Sequence, residues 1–351
     1  TEYPIKGTSK DAQQVVNFVS DDFKTPSVWK ANLAFDHELP WYGIVGSAEF
    51  LYSKVKDGLF FKRLELENPS FVGAPDGREF FWKSVYGTTS GSKSTGPSWA
   101  SDAVLLDNTD KGRTAQFTAS LSKPFSEQSD WAWSLGYTYT DAKEVASNTS
   151  SVATSNWNNN YIFQANEDAL ARSRYEVRDR ISGALNWKHK FFSDYETQVG
   201  LFYEGRTGRA YSWVYANDMN GDGRTFNDLF YVPKGRGDVM FKGGAAMEDA
   251  FFKWLESNPE LARYAGSVTP QNAGRAGFVN TFDVRITQQL PGFMKGHKSE
   301  IWLDIQNVGN MLNKKWGNIY DYGFYADQGV ANFIGIDQAT GKYIYDFRTA
   351  R

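Results

Sequence analysis

The chain has 351 residues, with 38 Lys and Arg against 41 Asp and Glu; a net charge of −3 gives no basic surface for nucleic acid. It has no cysteine, which excludes disulfides and thiolate metal sites. Aromatic residues reach 16% although the mean hydropathy is polar, and there is no run of about eighteen apolar residues to form a transmembrane helix. The stretch from Thr1 does not read as a signal peptide, since no basic start precedes an apolar core. This composition is expected of a membrane β-barrel, where every second residue faces water. It fits a soluble carbohydrate-binding β-protein as well.

In chain order, residues 1–26 are polar and read as loop. Residues 27–39 alternate, with Trp29, Ala31, Leu33 and Phe35 against Lys30, Asn32 and Asp36. After a tight turn at Pro40-Trp41, residues 44–56 set Ile44, Ala48, Phe50 and Tyr52 against Ser47, Glu49 and Ser53. Residues 57–111 form a long connection with Gly/Pro/Ser clusters and strand-like pieces such as 80–86. The clearest pattern is the hairpin 113–141. Ala115, Phe117, Ala119 and Leu121 lie on one side of its first arm and Thr114, Gln116, Thr118, Ser120 and Ser122 on the other. Its second arm, after a short turn at 125–130, opposes Trp131, Trp133, Leu135, Tyr137 and Tyr139 to Ala132, Ser134, Gly136, Thr138 and Thr140. Period two over about ten residues is a β-strand. An apolar face ending in aromatics, opposite small uncharged residues, matches a transmembrane β-strand. A hairpin of a soluble sandwich would alternate too.

A Ser/Thr/Asn-rich loop at 142–173 follows. Strand 180–191 then presents Ile181, Leu185, Trp187 and Phe191 on one face, and after a tight turn strand 195–204 presents Tyr195, Val199, Leu201 and Tyr203. The longest connection, 205–280, contains a helix at 246–257 with Met247, Phe251, Trp254 and Leu255 at helical spacing. A shorter helix starts at Asn258-Pro259 and stops at Gly266. Strand 281–290 opposes Phe282, Val284, Ile286 and Leu290 to Asp283, Arg285, Thr287 and Gln289; strand 299–308 carries Ile301, Leu303 and Ile305 on its apolar face. Residues 310–351 read as irregular, with a small hairpin at 338–342.

The fold class is therefore all-β: a transmembrane antiparallel barrel with eight spanning strands in four hairpins. Turns within hairpins are short, and the connections between them (57–111, 142–173, 205–280, 310–351) are long. That alternation is expected of periplasmic turns and extracellular loops. Eight strands with two open edges would leave unpaired backbone facing lipid, so the set reads as part of a larger barrel.

Several stretches carry candidate chemistry. Asp218, Asn220, Asp222 and Gly223 match the start of a calcium loop, D-x-[DN]-x-[DN]-G. The twelfth position is Leu229 instead of a bidentate Glu, and Asp228 sits one residue early; the alternative is an Asn/Asp/Gly turn that needs no metal. Clustered loop aromatics (Trp82, Trp99, Trp157, Tyr161, Tyr211, Trp213, Tyr215 and Tyr231) are candidates for stacking on a solute, or else for loop packing and membrane girdle. His37, His189 and His297 all fall at the short-turn ends of strands and read as interfacial surface residues. Asp283, Arg285, Glu196 and Glu204 read as polar wall facing a plug. No zinc-protease, nucleophile-elbow or phosphate-loop pattern occurs, so no enzyme is expected.

The stretch SEIWLDIQNVGNMLNKKW (299–316), with Asn307-Val308-Gly309-Asn310 and Asn313-Lys314-Lys315-Trp316, resembles the penultimate strand of TonB-dependent receptors. FKTPSVWKANLAFDHELP (23–40), EGRTGRAYS (204–212) and DMNGDGRTFNDLFYVP (218–233) resemble the Oar-like subgroup. The resemblance covers nearly the whole chain, but only the C-terminal part of a receptor. It implies a segment of an outer-membrane barrel of about 22 strands, without the plug, the N-terminal strands or the last strand. Its partners would be outer-membrane lipid, its own plug domain, the inner-membrane TonB complex acting through that plug, and an extracellular solute taken up with energy. Since Oar-like proteins are not all securely importers, an adhesion or secretion-related barrel stands as the alternative.

Overall fold

The computed structural model describes residues 14–73, 75–90 and 100–348. Eight strands form its wall: β1 (Ser27–Glu38), β2 (Val45–Arg63), β3 (Arg113–Lys123), β4 (Trp131–Glu144), β5 (Asp179–Phe192), β6 (Tyr195–Arg206), β7 (Val279–Pro291) and β8 (Lys298–Ile305). Each pairs antiparallel with the next in order. β1 and β8 each pair on one side only among the described residues.

The register carries one face across the whole sheet. Phe35 pairs with Ala48, Ala48 with Ala119, Ala119 with Tyr137, Tyr137 with Ile181, Ile181 with Gly205, and Gly205 with Asn280. Paired residues share a face, so the apolar parities of all eight strands lie on one surface. That surface has no protein cover: Leu33 is 75% exposed, Leu135 52% and Leu303 55%. An apolar face of this extent left open is suited to hydrocarbon. Aromatics mark both ends of it. Trp131 and Trp187 lie 6.2 Å apart near the short turns, and Tyr203 and Phe282 lie 4.8 Å apart near the long connections. From Trp131 to Tyr139 the strand rises roughly 27 Å, or about 20 Å vertically once tilted as in a barrel.

The other face is polar and small. Thr118 and Thr138 hydroxyls meet at 3.1 Å, and Arg285 makes two bonds to Asp304 at 2.6 and 2.7 Å. Arg180 pairs with Glu204 at 2.7 Å and Lys188 with Glu196 at 3.8 Å. The three histidines lie at the short-turn end: His37 and His189 near strand ends and His297 in the last turn.

The connections differ from expectation. Residues 14–19 are not loop: the strand Gln14–Val19 pairs parallel with the strand Ala100–Thr109, while residues 1–13 lie outside the described residues. β2 runs seven residues past the expected end, and Gly58–Arg63 pair with Thr109–Val104. Phe60 and Phe61 are both buried there, so the two-residue alternation disappears. The strand expected at 80–86 is Arg78–Phe80. β8 stops at Ile305 because Asn307 turns left-handed (φ 52°) into the helix Val308–Leu312. The Ala153–Asn158 helix was not expected; the helices Ala245–Glu256 and Pro259–Ala262 fall close to where they were. The region 310–348 is not irregular, since Asp327–Ile336 and Tyr343–Phe347 are antiparallel strands around the 337–342 turn. Residues 91–99 and 349–351 lie outside the described residues.

These connections fold into a cap. Its five-stranded sheet runs Met240–Phe241, Tyr343–Phe347, Asp327–Ile336, Ala210–Tyr215, Gly274–Arg275. The core of the cap is mostly aromatic, including Phe80, Trp213, Tyr215, Phe230, Phe251, Phe333 and Tyr345. The helix Ala245–Glu256 covers it with Phe251 and Leu255.

Candidate functional site

Most of the candidate aromatics are core. Trp157, Tyr161, Tyr211, Trp213, Tyr215 and Tyr231 are each at most 7% exposed. None of these six presents an open ring face to solvent. The reason is the length of the connections: a folded cap needs its own apolar interior, and here aromatics supply it. Tyr161 also lines a cavity of about 220 Å³ with Ile162, Leu229 and Thr269. Trp82 is half-buried and donates from Nε1 to Met219 O at 3.0 Å. Trp99 lies outside the described residues.

Three of these rings do meet cations, but the protein's own. Arg63 lies 4.8 Å from the Trp157 ring, Arg174 5.3 Å from Tyr161, and Arg78 5.7 Å from Tyr215. All three guanidiniums are buried. Arg63 pairs with Glu65 and, at 2.5 Å, with Asp102; it also donates to Asp222 O at 3.0 Å. Arg78 lies 3.4 Å from Asp76 and 3.6 Å from Asp228, and donates to the carbonyls of Phe163 and Leu229. Arg174 donates to the carbonyls of Asn159 and Tyr325. No local sequence signal marks these arginines, because Arg is ordinarily a surface residue and its partners here are distant in sequence.

The D-x-N-x-D-G stretch sits in the same network. Asp218, Asn220 and Asp222 each accept backbone N–H bonds from within the loop, and Asp228 accepts from Met219 N at 3.0 Å. Asn220, Asp222 and Asp228 are fully buried. Burial pushes the Asp228 carboxyl well above the usual carboxylate range, with the nearby Asp222 charge adding to it; burial also raises Asp222. Among the described residues no three His, Cys, Asp or Glu side chains converge as a ready metal cage.

On the wall, Asp283 accepts from Asn307 N at 2.7 Å, which ties β7 to the helix that ends β8. Arg285, Glu196 and Glu204 are ion-paired on the polar face.

No protein-family model matches the chain, and no curated protein does. Among solved structures it is similar to the outer membrane transporter YddB from Escherichia coli, at 13% identity and a TM-score of 0.44. The match covers 85% of this chain and 30% of that one, so the chain spans less than a third of that transporter's length.

Proposed function

We propose that this chain forms part of the wall and the extracellular cap of an outer-membrane transport barrel. In this reading the barrel is of the TonB-dependent receptor type, takes up a bulky solute with energy supplied through a plug, and carries out no catalysis itself. The observation that supports it most is the continuous apolar face shared by eight neighbouring strands, with short turns at one end and a folded cap at the other. The polar face, lined by small and ion-paired side chains, suits a water-filled lumen or a docked plug. The two single-sided strands β1 and β8 are where further wall strands would pair.

The absence of native cysteine allows a direct test. Leu135→Cys on the apolar face is expected to resist a water-soluble thiol reagent in outer membranes and to react once detergent is exchanged for denaturant. Ser134→Cys, one residue away on the polar face, is expected to react in intact membranes. Equal reactivity of both would mean a water-soluble module. Energised transport is tested by solute accumulation in cells lacking the inner-membrane partner complex; uptake that continues unchanged would count against energised transport.

A further inference from the structure

We propose that the cavity where the wall meets the cap, lined by Arg174, Glu176, Arg206, Thr207, Arg209 and Asp321 among others, is an oxyanion site that takes one carboxylate or phosphate group. Its volume is about 210 Å³. That is below the roughly 300–1,000 Å³ of a pocket for a whole ligand, and suits a single polar group. Arg206 stands on the polar face of β6, two residues on from Glu204, and pairs with Val279 at the start of β7. The cavity thus lies at the end of the polar face nearest the cap.

Arg174 carries the argument. It is 1% exposed, yet among the described residues no carboxylate lies within ion-pairing distance of its guanidinium. Its Nη2 donates to Asn159 O at 3.2 Å and to Tyr325 O at 3.0 Å. Nε and Nη1 are buried and have no acceptor. A guanidinium has five N–H donors, so those on Nε and Nη1 are left unused. The Tyr161 ring, 5.3 Å away, offers the charge a π face but no counter-ion. A buried charge without a partner is strongly unfavourable. An oxyanion in the cavity supplies both the opposite charge and the missing acceptors.

The carboxylates of the neighbourhood are committed elsewhere. Glu176 pairs with Arg275 and, at 3.5 Å, with Arg172, and it accepts from Ala142 N at 2.7 Å. Glu204 pairs with Arg180 at 2.7 Å and with Arg206 at 3.6 Å. Two carboxylates thus serve four guanidiniums. Asp321 pairs with Arg209 at 3.4 Å. Glu144 accepts the backbone N–H of Arg174 at 3.2 Å, not its guanidinium. Asp327 feels the Arg174 charge from further off and accepts from the Tyr161 hydroxyl at 3.4 Å. The crowding of positive charge reaches Arg275, whose pKa is lowered by burial and by the Arg172 charge. From the wall, Thr207 Oγ1 accepts from Asp179 N at 3.2 Å, which leaves its hydroxyl proton for a bound group. On the transport reading, on which this one step rests, the site takes the anionic group of the solute as it passes from the cap to the polar face.

The test uses the full chain in uncharged detergent and follows its unfolding temperature in sodium phosphate, sodium acetate and sodium chloride at equal ionic strength. Phosphate, acetate or both are expected to raise it above the chloride value, by about 2–5 °C at a hundredfold excess over Kd. The salt that responds identifies the group. Arg174→Lys keeps the charge but not the planar set of donors, and is expected to weaken binding about tenfold or more. Arg209 is partly exposed, so Arg209→Gln gives a second reading if Arg174→Lys does not fold, with an expected weakening of about threefold. Arg236→Gln, in an exposed pair outside the cavity, is expected to leave the response unchanged. Equal unfolding temperatures in the three salts would overturn the proposal. So would a response that the Arg174 and Arg209 variants keep in full. Labelling of the Leu135 and Ser134 positions tests the membrane reading separately: a chain that fails there but binds the oxyanion keeps the site and loses only its place in transport.

Discussion

The Tyr343 hydroxyl donates a 2.6 Å hydrogen bond to Asp76 Oδ1, joining residues 267 positions apart. It fastens the last strand of the cap sheet to the first long connection, and burial pushes the phenol far above its ordinary pKa. Removing the hydroxyl takes a neutral donor from Asp76 and leaves it its ion pair with Arg78. Tyr343→Phe is expected to lower the stability of the cap by about 1–3 kcal/mol. Tyr320→Phe, at an exposed ring, is the control with no expected change. Unfolding followed by tryptophan fluorescence in detergent reads both.

Arg78 has larger consequences. It is fully buried between Asp76 and Asp228, and both carboxylates lose their guanidinium if it is cut back. Arg78→Met is expected to cost about 3–5 kcal/mol, because breaking one side of a buried pair strands the other. The exposed Arg236–Asp249 pair provides the contrast: Arg236→Met is expected to leave the unfolding curve where it was. If the two variants behave alike, the buried network contributes nothing particular to the cap.

A pH dependence follows from Asp327. Burial raises its carboxyl above the usual range, opposed by the hydrogen bond from Tyr161 and the charge of Arg174. A carboxyl whose folded pKa is raised takes up a proton on folding. Its contribution therefore favours the folded state at low pH and is lost as pH rises through the folded value. The difference in unfolding temperature between the native chain and Asp327→Asn, followed from about pH 4 to 7, is expected to shift in the variant's favour as pH rises. A flat difference would remove Asp327 from the pH response.

The wall makes a positional prediction. Leu135→Arg places a cation on the apolar face and is expected to cost about 2–4 kcal/mol in lipid near the midplane. Ser134→Arg, on the polar face, is expected to assemble normally. Refolding yields into vesicles distinguish them, and equal yields would contradict the assignment of faces.

How far the sequence could be read depended on what lay on each side of a strand. In the wall, one face meets an apolar environment and the other a polar one, so alternation survives along the strands except at the buried far end of β2 (Phe60, Phe61), and the parities of Phe117, Leu135, Leu185 and Ile286 could be read directly. In the cap, Ala210–Tyr215 is buried at all six positions, so it has no period to read. Its partner strand begins at Asp327, more than a hundred residues later, and runs parallel to it. The site divides the same way. The oxygen spacing of Asp218, Asn220 and Asp222 is local and visible. The arginines that share their network, Arg63 and Arg78, arrive from another connection. The aromatic clusters were visible too, but a list of rings does not say which faces are covered, and Arg63, Arg78 and Arg174 cover three of them.

The burial of the 218–233 stretch has an immunological consequence. Met219, Asn220, Asp222 and the run from Asn227 to Val232 are all buried, so on the folded protein this hydrophilic-looking peptide is not a surface epitope. Antibodies raised against it as a free peptide are expected to stain denatured blots and to pass over intact cells. Sera that bind live cells would be directed at conformational epitopes assembled from several connections at once.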